Sequence, residues 1–385
     1  MMIPLAVPNL MGREKEYLNN CIDSTYVSSI GEYVTRLEEM TVNVTGGRYA
    51  VATSSGTTGL HAMLTAIGVK EGELVIIPTF TFIASANAIA HCGAIPWLMD
   101  ISADHWCMDI DLLSLELERR CTIRNGGVFH DETGRRVAAI MPVYTLGNIP
   151  DMEAFRSIAD KFHIPLAVDA ACAIGATHHK EAIGNLADVS VISFNGNKTI
   201  TCGGGGMVVG RDEKLMNYIR HITTTARIGT EYDFDMIGFN YRMTNIQAAV
   251  GCAQMERLQE FVHRKKEIRR FYASAFDDLK NIGFSFFPKT AGSSCWLSGI
   301  VLPEDKGLVD VRKLSGKLKE NGIESRTFWK PVHLQKPYRD SPCSLRGIAE
   351  NIWRRIVTLP CSSNITEAEL EFVVENVRDI IQSYC

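Results

Sequence analysis

Short apolar runs alternate with helix-like segments through the first half of the chain. Six runs have the length and apolar content of buried strands, and they span residues 49–53, 74–78, 94–98, 137–142, 165–169 and 189–194. Between the first two runs, Leu60, Met63, Leu64 and Ile67 fall on one helical face, and Gly68 follows as a stop signal. Repeated strand–helix–strand units predict a largely parallel sheet with helices on both faces.

The pattern changes after about residue 244. Thr244 and Gln247 have the spacing of a capping box, and helical periodicity then continues to about Phe276, which is long enough to bridge two domains. The apolar run at 295–302 predicts a strand, and a closing helix is expected from about Glu367. Because 385 residues exceed what one core usually serves, we expect a large domain over 1–245, with an N-terminal arm. The bridging helix and a small domain would occupy 246–385.

Composition excludes several classes of partner. Hydrophobic residues make up 46% of the chain, and the net charge is −4 with cations spread throughout, so no basic surface for nucleic acid or an anionic membrane is expected. No apolar run approaches the roughly 20 residues of a membrane span, and the N-terminus lacks the pattern of a secretory signal. Eleven unpatterned cysteines indicate free thiols in a reducing compartment. We therefore expect a cytoplasmic protein.

Lys198 is the strongest single chemical signal. It follows the apolar run 189–194 and precedes four consecutive glycines at 203–206. A buried lysine is costly unless it is paired or used covalently, and a lysine with a lowered pKa attacks carbonyl groups. A solvated lysine in a flexible loop explains this segment equally well when it is taken alone.

Three further segments carry candidate chemistry. Asp169 ends the run 165–169, where open α/β sheets bind ligands, and a carboxylate there could keep a pyridine nitrogen protonated; helix capping is the commoner role. The hydroxyl-rich and glycine-rich segment 53–59 precedes a helix and could hold a phosphate or simply cap that helix. Phe82, beyond another strand, could stack on a flat ring or belong to the core.

The order of these segments resembles that of fold type I pyridoxal-phosphate enzymes, and within them the chain is similar to the DegT/StrS family of nucleotide-sugar aminotransferases. The resemblance covers nearly the whole chain and rests on the segments 55–57, 78–82, 169–171, 193–198, 238–248 and 329–335. It implies an α/β fold like that of aspartate aminotransferase. Such a fold has a large domain, with a mostly parallel seven-stranded sheet between helices, and a smaller C-terminal α/β domain.

The resemblance also implies roles for single residues. Lys198 would condense with the aldehyde of pyridoxal 5'-phosphate and move protons, while Asp169 would pair with the ring nitrogen. The other implied cofactor-binding residues are Ser55, Gly56, Thr57, Phe82, Cys172, Ser193, Asn195 and Asn240. Asn240 matches an asparagine that reaches the phosphate from the neighbouring subunit, which implies a homodimer with shared active sites. The residues implied at the substrate entrance are Arg326, Trp329 and His333.

The implied reaction moves an amino group from glutamate to a nucleotide-linked 4-keto-6-deoxy sugar by a ping-pong mechanism, within polysaccharide biosynthesis. Segments 27–34, 194–198 and 329–333 are most similar to the branch that acts on UDP-4-keto-6-deoxy-N-acetylglucosamine, in bacillosamine and legionaminic acid synthesis. The alternatives are GDP-4-keto-6-deoxymannose aminated at C4, a dTDP-3-keto sugar, a sugar dehydratase, and a catalytically silent regulatory member. Related dehydratases carry histidine in place of the lysine, so Lys198 disfavours that alternative.

One residue near the cofactor departs from the pattern of the family, and the histidines and cysteines do not predict a metal site. Cys172 stands where relatives often carry Gln, Glu or His near the phenolic oxygen of the cofactor, which leaves the tuning of that oxygen open. The cysteines and histidines near residues 91–107 match no zinc spacing. His178 and His179 are interpreted as solvated, and no metal is expected.

Overall fold

The computed structural model describes residues 2–304 and 310–383. In this part of the chain the α-helices are α1 Glu14–Asp23, α2 Glu32–Thr45, α3 Gly56–Ala66, α4 Ile83–His91, α5 Ile110–Arg120, α6 Met152–Phe162, α7 Glu213–Thr223, α8 Asn245–Glu256, α9 Leu258–Ala275, α10 Val311–Glu320, α11 Ile348–Trp353 and α12 Glu367–Gln382.

The strands of the first 210 residues are β1 Tyr49–Thr53, β2 Leu74–Pro78, β3 Ile95–Met99, β4 Cys121–Arg124, β5 Gly127–His130, β6 Val137–Ile140, β7 Ala167–Asp169, β8 Thr177–His178, β9 Glu181–Ala182, β10 Val189–Ser193 and β11 Gly206–Gly210. The later strands are β12 Arg227–Ile228, β13 Asp233–Phe234, β14 Ser285–Phe286, β15 Ser298–Val301, β16 Arg326–Thr327, β17 Cys343–Ser344 and β18 Ile356–Leu359.

One large sheet organises the first two thirds of the chain. Its strands run in the order β1-β11-β10-β7 and β6-β2-β3-β17. The parallel bridges Ile140–Leu166 and Val143–Asp169, at or just beyond the ends of β6 and β7, join the two halves. Strand β11 is antiparallel to both of its neighbours, and the other pairings are parallel. The predicted mostly parallel seven-stranded sheet is confirmed, and β17 from the C-terminal region extends its edge.

Both faces of this sheet are covered, as the apolar runs require. Leu74 and Ile76 pack in one core cluster with α1, α2, α5, α6 and α8, whereas Val75 and Ile77 pack on the opposite face with α3, α4 and α7. Successive side chains of a strand point to opposite faces, so a strand that is covered twice reads as an uninterrupted apolar run.

A second, smaller sheet lies in the C-terminal region, with the antiparallel order β14-β15-β18-β16. Its core cluster includes residues from α9, α10 and α12. The N-terminal segment also joins this region, because Ile3 forms a parallel bridge with Ile323. The predicted closing helix from Glu367 is confirmed as α12, which starts with a capping box between Thr366 and Glu369.

The single bridging helix predicted from 244 to 276 is wrong in one respect, because it consists of two helices. Arg257 separates α8 from α9 with a ψ of 9°, and its side chain bonds to Glu260 and Asn9. Apolar periodicity persists across this break, so the sequence pattern did not reveal it. Helix α9 contributes Leu258 to the core of the large sheet and Tyr272 to the C-terminal core.

The ten cysteines in the described ranges are free thiols. No described helix combines the length and the apolar composition that crossing a bilayer requires.

Candidate active site

A pocket with a volume of about 310 Å³ lies at the carboxyl ends of β2, β7 and β10. Its walls are formed by Ser55, Gly56, Thr57, Leu60, Thr81, Phe82, Ala84, Val143, Asp169, Ala171, Cys172, Ser193, Asn195, Asn197, Lys198, Gly204, Gly205, Trp296 and Trp329. Parallel strands end at a common edge of the sheet, and this edge is where open α/β sheets bind ligands.

The start of α3 forms one end of the pocket. The side chain of Ser55 accepts a hydrogen bond from the Thr58 N–H at 3.1 Å, which fixes the N-cap. The first N–H groups of a helix have no partner within it and attract anions. A Cβ on Gly56 would lie 3.0 Å from the Cβ of Ser193, so glycine lets the helix start approach the end of β10. This arrangement provides hydroxyls and free N–H groups for a phosphate.

Asp169 also lines the pocket and is buried, with 4% of its surface exposed. One carboxylate oxygen accepts a hydrogen bond from Ser85 Oγ at 2.7 Å and the other accepts one from the Ala171 N–H at 3.0 Å. Burial raises the pKa of the Asp169 carboxyl, although both hydrogen bonds and the nearby Lys198 charge oppose the increase. A cation beside this carboxylate would relieve the cost of burying its charge.

Lys198 points into the pocket rather than into solvent. Its Nζ lies 3.2 Å from Cys172 Sγ and 3.9 Å from the ring centroid of Trp296. Burial raises the pKa of the Cys172 thiol, and the Lys198 charge partly counteracts this. The thiol is therefore a neutral neighbour of the amine.

Three aromatic side chains line the pocket around this amine. Trp329 has its ring centroid 6.2 Å from that of Phe82 and 6.0 Å from that of Trp296. The indole N–H of Trp296 donates to the Asn197 carbonyl at 2.7 Å, which holds the ring next to Lys198. Such a wall can exclude water and stack on flat ligands.

Most residues predicted for the site come together in this pocket. Those that line it are Ser55, Gly56, Thr57, Phe82, Asp169, Cys172, Ser193, Asn195, Lys198 and Trp329. Asn240, Arg326 and His333 are not among its lining residues.

The two remaining substrate candidates have partners of their own. Arg326 is exposed and pairs with Glu324 at 2.6 Å. His333 bonds through Nδ1 to Thr79 Oγ1 at 2.6 Å and through Nε2 to Glu350 at 2.9 Å. In this chain the imidazole therefore ties the end of β2 to α11.

Asn240 lies in a separate surface depression of about 740 Å³, which we call the Asn240 depression. It is lined by Ser29, Asn217, Arg220, His221, Thr224, Thr225, Arg227, Gly229, Thr230, Asn240 and Arg242. Glu38 pairs with both Arg220 and Arg242, while Arg227 bonds to backbone carbonyls. These three arginines exceed their acidic partner in charge, so the depression is positive.

The sequence interpretation missed several residues of the pocket. Trp296 lies in the apolar run 295–302, where it was indistinguishable from core. Ser85 is within α4, and its bond to Asp169 joins residues far apart in sequence. The pocket also contains Asn197, Gly204 and Gly205, which lie close to Lys198 in the sequence. That closeness was the only sequence signal for them.

The residues present fit pyridoxal 5'-phosphate. A helix start with free N–H groups would hold the phosphate, and the buried carboxylate of Asp169 would hold a protonated ring nitrogen. Lys198 lines the same pocket, and its amine forms no salt bridge with a described residue. The carboxylate of Asp169 is buried and forms no salt bridge with a described residue. A cationic ring beside it would relieve the cost of burying that charge. Together with the sheet, this site defines a fold type I pyridoxal-phosphate-dependent enzyme.

Comparison with known proteins places the chain more narrowly. It belongs to the DegT/DnrJ/EryC1/StrS aminotransferase family, whose sequence model matches residues 8–378. The protein is therefore a pyridoxal-phosphate-dependent sugar aminotransferase. An aminotransferase of this family from Brucella abortus has the same fold, with a TM-score of 0.86 at 25% identity over 96% of this chain and 95% of that chain.

Two curated relatives share more of the sequence. A GDP-perosamine synthase of Escherichia coli O157:H7 is 33% identical over 378 residues, and one from Caulobacter vibrioides is 34% identical over 382 residues; each alignment covers 98% of both chains. These names do not support the UDP-sugar branch expected from the short segments 27–34, 194–198 and 329–333. Short matches around the cofactor reflect the chemistry common to the family and do not indicate which nucleotide the sugar substrate carries.

Proposed function

We propose that the protein aminates C4 of GDP-4-keto-6-deoxymannose, with glutamate as the amino donor. The observation that carries this proposal is the pocket that joins Lys198, Asp169 and the start of α3, in a chain similar over 98% of its length to two GDP-perosamine synthases. Amination of UDP-4-keto-6-deoxy-N-acetylglucosamine is the competing candidate.

Within this proposal each residue has a chemical task. The cofactor, when bound, supplies an aldehyde that accepts an amine and a ring that spreads negative charge. Asp169 holds the ring nitrogen in its protonated form, and the Nζ of Lys198 carries a proton away from and back to the reacting carbon. The wall of Phe82, Trp296 and Trp329 excludes water from that proton transfer.

The substrates use this pocket one after the other, in a ping-pong order. Asp169 and Lys198 are the only charged residues among the described ones that line it, so the described part of the chain offers no second cation there for a donor carboxylate or a sugar-nucleotide phosphate. We infer that the missing positive charge comes from a second copy of the chain. The Asn240 depression, with Arg220, Arg227 and Arg242, has the required sign.

Exposed apolar side chains beside that depression support a homodimer. Tyr232 and Ile237 are 82% and 91% exposed, and Ile228, Phe234 and Met236 are also exposed. Clusters of exposed apolar residues on a protein surface mark contact regions. Docking of this region on a second chain would bury them and carry Asn240 towards the phosphate end of the partner's pocket.

The substrate assignment is tested by supplying the purified enzyme with glutamate and a panel of nucleotide keto-sugars. The panel contains GDP-4-keto-6-deoxymannose, UDP-4-keto-6-deoxy-N-acetylglucosamine and a dTDP-3-keto sugar, and mass spectrometry detects the amino sugar. We expect the GDP-linked sugar to have the highest kcat/KM. A higher kcat/KM for the UDP-linked sugar would overturn the assignment while leaving the aminotransferase chemistry intact.

The wild-type enzyme without keto-sugar gives the matching control for the donor. Glutamate alone should then convert one equivalent of bound cofactor per chain to the amine form and release 2-oxoglutarate. Conversion by a different amino acid, with none by glutamate, would refute the donor assignment.

A further inference from the structure

The hairpin β8–β9 brings two histidines next to a glutamate of α6. Thr177 pairs with Ala182 and His178 pairs with Glu181, so His179 and Lys180 form a two-residue turn. One potential ligand atom from each of Glu153, His178 and His179 lies within 4.8 Å of the others. None of these three residues lines the aminotransferase pocket.

The turn holds its histidine in an uncommon backbone conformation. His179 and Lys180 have φ values of 47° and 72°, in the left-handed region that glycine and asparagine usually occupy in such turns. This conformation is unfavourable for a residue with a Cβ, such as histidine. The His178 and His179 rings are also in contact, with centroids 4.2 Å apart.

Two polar groups of this cluster have no partner elsewhere in the described ranges, the His178 ring nitrogen Nε2 and the Glu153 carboxylate. The Nε2 atom of His178 is buried and has no hydrogen-bond partner among the described residues. The Glu153 carboxylate also forms no ion pair with a described residue, and the neighbouring cations of α6 pair with other acids. A buried ring nitrogen without a partner costs free energy comparable to a lost hydrogen bond, and a bound cation would remove that cost.

We propose that Glu153, His178 and His179 bind one divalent transition-metal ion of the Ni²⁺ or Zn²⁺ type. Imidazole and carboxylate are suitable ligands for both ions. Bonds of about 2.0–2.2 Å to a tetrahedral ion separate ligand atoms by roughly 3.4 Å, so small side-chain rotations close the present cluster around an ion. Water completes the coordination. This site replaces the solvated histidine pair expected from the sequence.

The position of the cluster gives the ion a structural role. The Thr177 N–H donates to the Gly292 carbonyl at 3.0 Å, and Ser294 Oγ in the same C-terminal loop donates to the Cys172 carbonyl at 2.9 Å. An ion between Glu153 and the histidines fastens the hairpin to α6, and through this loop it supports the backbone that carries Cys172.

Isothermal titration of the tag-free holoenzyme with Ni²⁺ tests the proposal. We expect one ion per chain, and we expect His178→Ala and Glu153→Gln each to weaken binding by more than about tenfold, because removal of a direct ligand costs at least as much as removal of an outer partner. His263→Ala is the matched control, since His263 is an exposed histidine 3.0 Å from Glu267 but belongs to no group of three potential ligands among the described residues.

Thermal unfolding provides the second measurement. Ni²⁺ should raise the Tm of the wild type and leave that of His178→Ala unchanged, and a cooperative unfolding transition of the variant in a chelator shows that it is folded. The proposal is overturned if the wild type binds no Ni²⁺, if His178→Ala binds it as tightly, or if His263→Ala removes the binding.

Discussion

The aminotransferase pocket and the Asn240 depression differ in almost every physical property. The pocket is the more enclosed of the two, has three aromatic side chains in its wall, and contains one acid and one cation, Asp169 and Lys198. The depression is more than twice as large, open to solvent, and lined by three arginines and no acidic residue. The first places aromatic side chains beside its acid and its cation, whereas the second has an excess of positive charge, because Glu38 offsets only part of the charge of its arginines.

In the proposed homodimer two surfaces share the tasks of one active site: the pocket holds the reacting groups, and the Asn240 depression supplies positive charge. A dry pocket strengthens the effect of each charge in it, so additional cations there would disturb the pKa of the reacting amine. In the proposed homodimer, a second chain would bring the arginines to the entrance of the pocket rather than into it. The following variants test that division, beginning with the largest expected effect.

Lys198→Ala should reduce turnover by about 10⁴-fold or more, because it removes both the covalent amine and the proton carrier. Steady-state amino-sugar formation measures the loss, and the absorbance band of the lysine–cofactor bond should disappear. Lys214→Ala, at an exposed lysine of α7, is the control and should retain wild-type activity. Near-normal turnover by Lys198→Ala would show that the pocket is not the reaction centre.

Asp169→Asn should lower kcat by about 10²–10³-fold, since the ring nitrogen loses the charge that keeps it protonated. The same variant should make the cofactor-free protein more stable at neutral pH, by about 1–3 °C in Tm. Burial raises the carboxyl pKa in the folded chain, so folding is penalised above that pKa, and the penalty disappears below the unfolded value of 3.8. Melting curves of both cofactor-free proteins across this pH range check the sign, and a lower Tm for the variant at neutral pH would contradict it.

Asn240→Ala should reduce activity by about ten- to hundredfold, as expected for a lost hydrogen bond to a charged phosphate. Mixing it with Lys198→Ala tests whether sites are shared. If Asn240 serves the partner's pocket, a mixed dimer has one intact site, and random exchange restores about a quarter of wild-type activity.

The mixture distinguishes the two possible arrangements directly. If Asn240 acted in its own chain, every site would carry one defect, and mixing would restore nothing. Size-exclusion chromatography with light scattering, run on each variant, ensures that both still form dimers.

Cys172→Ala should have the smallest effect, a decrease in kcat of about two- to tenfold with a shifted absorbance maximum of the bound cofactor. The thiol contacts the Lys198 amine at 3.2 Å but is neutral there, because burial raises its pKa. Cys252→Ala, at a buried cysteine outside the pocket, is the control. A loss as large as that of Asp169→Asn would show that the thiol takes a direct part in proton transfer.

Much of the pocket could be predicted from sequence because its parts lie at the ends of strands. Asp169 ends β7, Ser193 ends β10, and the segment before α3 follows β1. Apolar runs identify buried parallel strands, and the carboxyl ends of parallel strands lie at one edge of the sheet. Residues far apart along the chain were therefore placed together without any knowledge of their contacts.

Contributions from outside those strand ends could not be predicted. Trp296 approaches Lys198 from the C-terminal region, and the bond of Ser85 to Asp169 depends on how α4 packs. Arg257 breaks a helix whose apolar periodicity is continuous. In each case the deciding contact joins distant segments, and local pattern carries no information about it.

The sequence by itself predicted the sheet and placed Asp169 and Lys198 close to strand ends, since strand burial and strand ends follow from the pattern of apolar and polar positions. The class of cofactor followed from the resemblance to the aminotransferase family. Only the tertiary structure decided which aromatic faces the amine, which of the predicted residues lie on a different surface, and that His178 and His179 meet Glu153. These depend on packing between segments that share no periodicity, and packing is set by the shapes of the side chains once the elements have come together.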